Sequence, residues 1–204
     1  MKPHIAIVTD RIIPAILAAG QAVRFGGDKL DQLCAGKRLG EWAVAAVEAT
    51  GLPPGVIVTN RQVPHFANVA SGWKTLQNDT PEAGISSSLR IMAEYVLHHD
   101  YSAALILLAD MPLIPAGHLQ DLCHKIPSAT DYGGQRLGVP ATLSRALLTE
   151  CLELTGDRGA GPILSHNPYI RGVSIPSALL LDVDEPDDLM QAEQRIQDST
   201  VRRP

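Results

Sequence analysis

Cysteine is scarce, odd in number and dispersed. Cys34, Cys123 and Cys151 are the three cysteines of the 204-residue sequence, and so sparse a set builds neither a disulfide framework nor a zinc quartet. A reducing cytoplasm is the simplest setting for such a chain. Positive charge is also in short supply: 17 basic against 22 acidic side chains leave a formal charge of −5. No basic tract precedes the short Arg202-Arg203 tail, which argues against nonspecific binding to a nucleic-acid backbone and makes any phosphate site local. Long apolar runs are missing too. The longest, Ala103 to Ala109, falls far short of the ~20 residues a helix needs to cross a bilayer, so no membrane span is expected. Repeats, low-complexity tracts and flexible linkers are absent, which favours one domain over residues 1–204. The 45% hydrophobic content is enough to bury a sizeable core. At the start, Lys2, an apolar stretch and small residues have the outline of a signal peptide, but Asp10 and Arg11 interrupt it; residues 1–11 read as an N-terminal extension.

What remains is an alternation of short apolar, often β-branched runs with amphipathic stretches, the pattern of βα units around a largely parallel sheet. Ile12–Ala18 reads as the first buried strand and Val56–Thr59 as the second. Ala103–Ala109 lacks alternation, which implies a central strand covered on both faces. Helices are expected at Leu39–Thr50, ended by Gly51 and Pro53-Pro54, and at Gly84–His99, where Ile85, Leu89, Met92 and Val96 share a face. Further helices are expected at Pro115–Lys125, Arg145–Leu154 behind a capping Ser144, and after Pro186. Weaker strand signals lie at Ala129–Tyr132, Gly138–Thr142, Arg171–Ile175 and Leu179–Val183.

The first strand leads directly into Leu17-Ala18-Ala19-Gly20-Gln21-Ala22-Val23-Arg24-Phe25-Gly26-Gly27-Asp28-Lys29-Leu30. A loop leaving the carboxyl end of a central strand faces the crevice where ligands bind in open α/β sheets. Small residues let backbone amides approach phosphate oxygens, and Arg24 and Lys29 add positive charge. The loop is not a Walker loop, since no Gly-Lys-Ser/Thr follows, and it lacks the G-x-G-x-x-G spacing of dinucleotide folds. Composition and spacing alone leave a plain surface loop equally open.

The order Leu-Ala-Ala-Gly, three residues, Arg-Phe-Gly, two residues, Lys resembles the signature of the MobA-like nucleotidyltransferases, and most closely their molybdenum-cofactor cytidylyltransferase (MocA-like) branch. Asn78 with Gly84-Ile85-Ser86-Ser87-Ser88-Leu89 resembles the second motif of that branch. Ala109-Asp110-Met111-Pro112-Leu113 resembles its metal-binding segment, and Leu181-Asp182-Val183-Asp184-Glu185-Pro186-Asp187-Asp188-Leu189 its closing motif. The four lie in order from Ile12 to Ile196. The resemblance implies a Rossmann-like three-layer α/β sandwich with a mainly parallel mixed sheet, like the nucleotide-diphospho-sugar transferases. It also implies a Mg2+-dependent transfer of a nucleoside monophosphate from an NTP, with CTP favoured, to a phosphorylated pterin, the molybdenum cofactor, with release of pyrophosphate.

By the same resemblance, Leu17, Ala18, Ala19 and Gly20 hold the nucleotide, while Arg24 and Lys29 bind the triphosphate and act with Asp110 in catalysis. Asn78, Gly84 and Ser86 are nucleotide contacts, although serines in a first helical turn also serve as caps. Asp110 and Asp184 are the metal ligands; of Asp182 and Asp184, at the end of the expected Leu179–Val183 strand, only one is expected to face the site, the other starting the helix at Pro186. Arg136, Gly138, Asp157 and Arg158 are the acceptor-binding candidates. Two departures touch that pocket: Val139 stands where the family often has His, and Gly161 lies where the family often has a basic residue in its Gly-Asp-x-Gly-Ala segment. A monomer or weak dimer in transient contact with a molybdoenzyme completes the expectation.

The GTP-using sister activity usually carries Leu-Ala-Gly-Gly, against Leu-Ala-Ala-Gly here, and a sugar- or polyol-phosphate cytidylyltransferase would lack the Gly84 to Leu89 motif. A nicotinamide-dependent oxidoreductase lacks its fingerprint, and a noncatalytic cofactor-binding module would not need Arg24, Lys29 and Asp110 together. His98-His99 cannot form an i, i+4 zinc pair and suits a helix C-terminus. Trp42 reads as core, and no paired His or second Cys beside Cys34 supports a thiol mechanism.

Overall fold

A computed structural model describes residues 11–20 and 25–201. The expectations for residues 1–10 and for Arg24 lie outside the described residues. In chain order the elements are β1 (Ile12–Ala18), β2 (Leu33–Cys34), β3 (Lys37–Arg38), α1 (Leu39–Glu48), β4 (Val56–Thr59), α2 (His65–Val69), β5 (Lys74–Gln77) and α3 (Ile85–His98). There follow β6 (Ala103–Leu108), α4 (Ala116–Cys123), β7 (Ser128–Asp131), β8 (Leu137–Ser144), α5 (Arg145–Cys151), α6 (Gly161–His166), β9 (Arg171–Ser174) and α7 (Pro186–Val201).

Seven strands form one sheet in the order β5-β4-β1-β6-β8-β7-β9. The β5, β4, β1, β6 half is parallel, β8 runs antiparallel to both β6 and β7, and β9 returns parallel to β7. This is the three-layer α/β sandwich with a mainly parallel mixed sheet that the sequence predicts. All seven residues of β1 are buried because both faces are covered, and period-two alternation divides them. Ile13, Ala15 and Leu17 face Leu89, Met92 and Val96 of α3 with Leu147 and Leu148 of α5. Ile12, Ile16 and Ala18 face Ala43, Val44 and Val47 of α1 with Leu119 and Leu122 of α4. A third, smaller cluster joins Cys34, Leu39, Val183 and Ala192, seating α7 against the β2–β3 hairpin and α1. Gly55 is forced at the start of β4, since a Cβ there would overlap the Pro14 carbonyl of β1.

The strong periodicities reproduce the expected elements closely, and the differences have physical causes. The expected Leu179–Val183 strand is absent: Ser177–Leu179 is a short 3-10 turn and the chain beyond it is irregular up to α7. The backbone N–H of Val183 donates to Asp110 O at 3.0 Å, and its side chain is buried in the α7 cluster, so the segment crosses the strand ends. Helix α5 ends at Cys151, short of Leu154, and Ser144 occupies its N-cap position without a side-chain bond. The edge strand β5 carries the polar sequence Lys-Thr-Leu-Gln, which has little apolar signal because most of it is exposed. The two-residue strands β2 and β3 and the short helices α2 and α6 fall below any detectable period. Among the described residues, no helix is long and apolar enough to cross a membrane.

Candidate active site

Strands β1 and β6 pair in register up to Leu17 and Leu108, and Ala109 N–H donates to Leu17 O at 3.0 Å just beyond. The glycine loop and Asp110 therefore leave adjacent strand ends into one crevice. After the loop, a 3-10 turn at Lys29–Asp31 folds Lys29 inward until its side chain is only 8% exposed. Its Nζ donates to Asp110 Oδ2 at 2.8 Å and to Val183 O at 2.5 Å, and stands 3.5 Å from Asp184 Oδ1. Burial works to lower the Lys29 pKa, but Asp110, by charge and hydrogen bond, with Asp182 and Asp184 beyond, outweighs it and raises the pKa. The ammonium is thus locked in its charged form.

Opposite Lys29, carboxylate oxygens of Asp110, Asp182 and Asp184 lie within 4.8 Å of one another. Desolvation, then the charge and shared hydrogen bond of Asp110, then Asp184, push the Asp182 carboxyl up to about 7, against the opposing pull of Lys29. One lysine does not balance three acids this close. Asp110 Oδ1 is buried and has no hydrogen-bond partner, which is costly for an acceptor unless something else takes up its lone pairs. A compact group of hard carboxylate oxygens with an orphaned buried acceptor suits a divalent cation of the Mg2+ or Mn2+ type. Asp182 is the member of this cluster that sequence reasoning set aside. The expectation that only one of the pair faces the site fails on geometry: residues two apart in extended chain share a side, so Val183 is buried on one side while Asp182 and Asp184 both reach the cluster on the other.

Three cavities meet around these groups. One of about 240 Å³ lies between the glycine loop and residues 60–64, with Gly20, Lys29, Asn60 and Asp110 on its walls. A second, of about 440 Å³, is lined by Ala19, Gly20, Gly84, Ser88, Asp110, Asp157 and Asp182. A third, of about 360 Å³, holds Tyr132, Arg136, Gly138, Val139 and Asp182. Leu17 borders all three, Asp110 the first two and Asp182 the last two. Asp110 and Asp182 therefore stand at the junction of one branched crevice, with Asp184 beside them.

The remaining site candidates sort by position. Leu17, Ala18, Ala19, Gly20, Lys29 and Gly84 border the first two cavities. Asn78 is fully buried behind the wall; its Nδ2 donates to Ser87 Oγ at 2.7 Å and Ser88 Oγ at 3.0 Å, while Oδ1 accepts from Thr80 N at 3.0 Å. It clasps the start of α3 to the β5 end. Ser86 is fully buried as well, and Ser88 is the serine on the cavity wall. None of the three serines caps the helix, whose N-cap is Gly84. The hydroxyl of Ser87 instead donates to Gly84 O at 2.7 Å, and Ser86 N–H donates to Gly156 O at 3.3 Å.

Gly84 has φ 84°, and a Cβ on it would strike the Asp157 carboxylate and the Gly156 carbonyl, so only glycine lets the two walls meet. Asp157 borders the second cavity, apart from Arg136 and Gly138 in the third, and Arg158 is exposed. The Arg136 guanidinium lies 5.1 Å from the Tyr132 ring. Sequence reasoning also missed Asn60, whose buried Oδ1 has no partner. It likewise missed Asp31, whose carboxylate accepts from His65 N at 2.7 Å and Phe66 N at 2.9 Å and pins the cavity wall to the loop.

Elsewhere the structure follows the simpler readings. His98 and His99 bond the Glu94 and Tyr95 carbonyls at the end of α3, and Trp42 packs in the α7 cluster while donating to Cys34 O at 2.9 Å. Burial pushes the Cys34 thiol up to about 11, the opposite of what a nucleophile requires.

A family model described as the MobA-like NTP transferase domain matches residues 14–171. No curated protein matches the chain. Among solved structures, Rv0371c from Mycobacterium tuberculosis is 18% identical and aligns over 90% of this chain and 97% of its own with a TM-score of 0.75. The same protein in complex with manganese is 19% identical over 90% and 98%, with a TM-score of 0.71. A nucleotidyl transferase from Methanothermobacter, Mth528, is 18% identical over 93% and 99%, with a TM-score of 0.76. At these identities the likeness is one of fold.

Proposed function

The chain belongs to the MobA-like NTP transferase domain family, and on that premise we propose that it transfers CMP from CTP to the phosphate of a molybdopterin-type cofactor, releasing pyrophosphate. The observation that carries the reading is the constellation at the strand ends: Lys29 buried against Asp110, with Asp182 and Asp184 completing a carboxylate cluster at the crevice junction. The preference for CTP is supported by Leu17-Ala18-Ala19-Gly20, in which Ala19 replaces the glycine usual in the GTP-using branch and lines the second cavity.

In this proposal the nucleotide lies over Gly20 and along the α3 start, where small residues admit its phosphates close to the backbone. An acceptor phosphate oxygen attacks the α-phosphorus in line, the new O–P bond forms, and the bond to the β-phosphate oxygen breaks as pyrophosphate leaves. Such transfers depend on positioning and charge neutralisation rather than covalent chemistry by the protein. Asp110, Asp182 and Asp184 hold the divalent cation, taken as Mg2+, which when bound supplies Lewis-acid neutralisation of the phosphate oxygens. Lys29 then turns from counter-ion of the carboxylates to donor for the triphosphate, with Arg24 as the second cation of the loop. Arg136 and Gly138, on the other side of Asp182, bind the acceptor.

The test is pyrophosphate release in Mg2+ with CTP, GTP, ATP or UTP, each with and without reduced pterin cofactor. Acceptor-dependent release with CTP alone is expected. Release with GTP alone would transfer the assignment to the guanylyl branch, and no acceptor-dependent release with any nucleotide would refute the acceptor.

A further inference from the structure

Asp184 sits on a segment without regular secondary structure, so something other than a strand ladder must hold its carboxylate toward Asp110. On one side, Val183 is fastened through both backbone groups, its N–H to Asp110 O at 3.0 Å and its carbonyl to Lys29 Nζ at 2.5 Å. On the other side, a single carboxylate oxygen, Asp188 Oδ2, accepts from Asp184 N at 3.0 Å and from Glu185 N at 2.9 Å. Glu185 is the residue before α7 begins at Pro186, so Asp188 is the third helical residue, and its bond to Glu185 N is the reach-back of a capping box. The bond to Asp184 N is additional. It falls one residue outside the helix, on the backbone of the cluster residue itself, and capping does not require it.

The electrostatics point the same way. Asp188 places its carboxylate on the backbone amide of one of the clustered acids, where two amide donors and the positive end of α7 hold it. We propose that Asp188 is a positioning residue for the divalent-cation site: it fixes the backbone at Asp184 and thereby the direction of that carboxylate. The inference rests on the cation reading of the cluster given above. Partners that orient metal ligands are worth about 10–100-fold in affinity when removed.

The test is Mn2+ binding to the full chain without nucleotide, followed by the electron paramagnetic resonance signal of free Mn2+, with urea unfolding of each variant alongside. Asp188→Ala is expected to weaken Mn2+ binding about 10–100-fold. Asp188→Asn, which keeps an acceptor oxygen at the same reach, should bind within about threefold of the parent, and Asp187→Ala, on the neighbouring residue of the same turn, should match the parent. If Asp188→Ala does not fold, Asp188→Ser, too short to reach either amide, is read in its place. Loss of urea stability with Mn2+ affinity unchanged would reduce Asp188 to a helix cap and overturn the proposal. Absence of Mn2+ binding by the parent chain would instead remove the cation reading, and the proposal with it, so the two failures are distinct.

Discussion

Replacing Lys29 by methionine removes the ammonium while keeping most of the buried stem, and isolates what that charge contributes to the carboxylate cluster. Removing one partner of a fully buried ion pair costs about 3–5 kcal/mol, because the other charge is left uncompensated. Here the Asp110 side chain is 23% exposed and that of Asp184 50%; solvent screening therefore reduces the expectation to about 2 kcal/mol at pH 8 in chelator. The loss should depend on pH with a definite sign. Asp182, whose folded pKa is raised to about 7, contributes stability that is full below its unfolded pKa and is lost as pH rises through about 7. At pH 5 it is protonated, the cluster carries less charge, and Lys29→Met should cost clearly less than at pH 8. Saturating Mg2+ at pH 8 should restore much of the difference by supplying the missing positive charge, since a ligand at a hundred times its dissociation constant adds about 2.7 kcal/mol to the folded state. Urea unfolding followed by fluorescence of Trp42 and Trp73, at both pH values with and without Mg2+, reads all four quantities. A loss that is equal at pH 5 and pH 8, or one that Mg2+ deepens, would refute the electrostatic account.

Asp110→Asn keeps an acceptor for Lys29 but removes the central charge, so pyrophosphate release should fall at least about 100-fold while urea stability stays within about 1 kcal/mol; retained activity would remove Asp110 from the site. Gly84→Ala forces a Cβ into the Gly156 carbonyl and the Asp157 carboxylate at φ 84°, and thermal unfolding should show a loss of about 2–4 kcal/mol. Asn78→Ala unfastens the α3 start from the β5 end. A destabilisation of about 1–3 kcal/mol is expected in urea, and a neutral effect would show the clasp to be dispensable.

The order of motifs along the chain was enough to recognise the family, and uninterrupted apolar runs were enough to place β1, β4 and β6, because strands covered on both faces must be apolar throughout. Helices α1 and α3 were legible for a related reason: each buries one stripe, and the 3.6-residue period survives in sequence. Elements that bury little left no such trace, as the polar edge strand β5 and the two-residue hairpin β2–β3 illustrate. Asn78 was expected beside the nucleotide and instead lies buried behind the cavity wall, bonded to Ser87 and Ser88, since spacing does not say whether an amide faces a cavity or the wall behind it.

The carboxylate cluster belongs to neither level alone. Residue types at Lys29, Asp110 and Asp184 announced charge handling, yet 81 residues separate the first pair and 155 separate Lys29 from Asp184. Their meeting depends on β1 and β6 lying side by side in the sheet and on the 180–185 segment crossing the strand ends. That crossing also brought in Asp182, which the sequence reading had set aside although residues two apart in extended chain share a side. Periodicity and motif are properties of neighbours in the chain and can be read there; the distance between charges, the burial of Lys29 and the raised pKa of Asp182 depend on which distant segments exclude water together, and only the folded arrangement decides that.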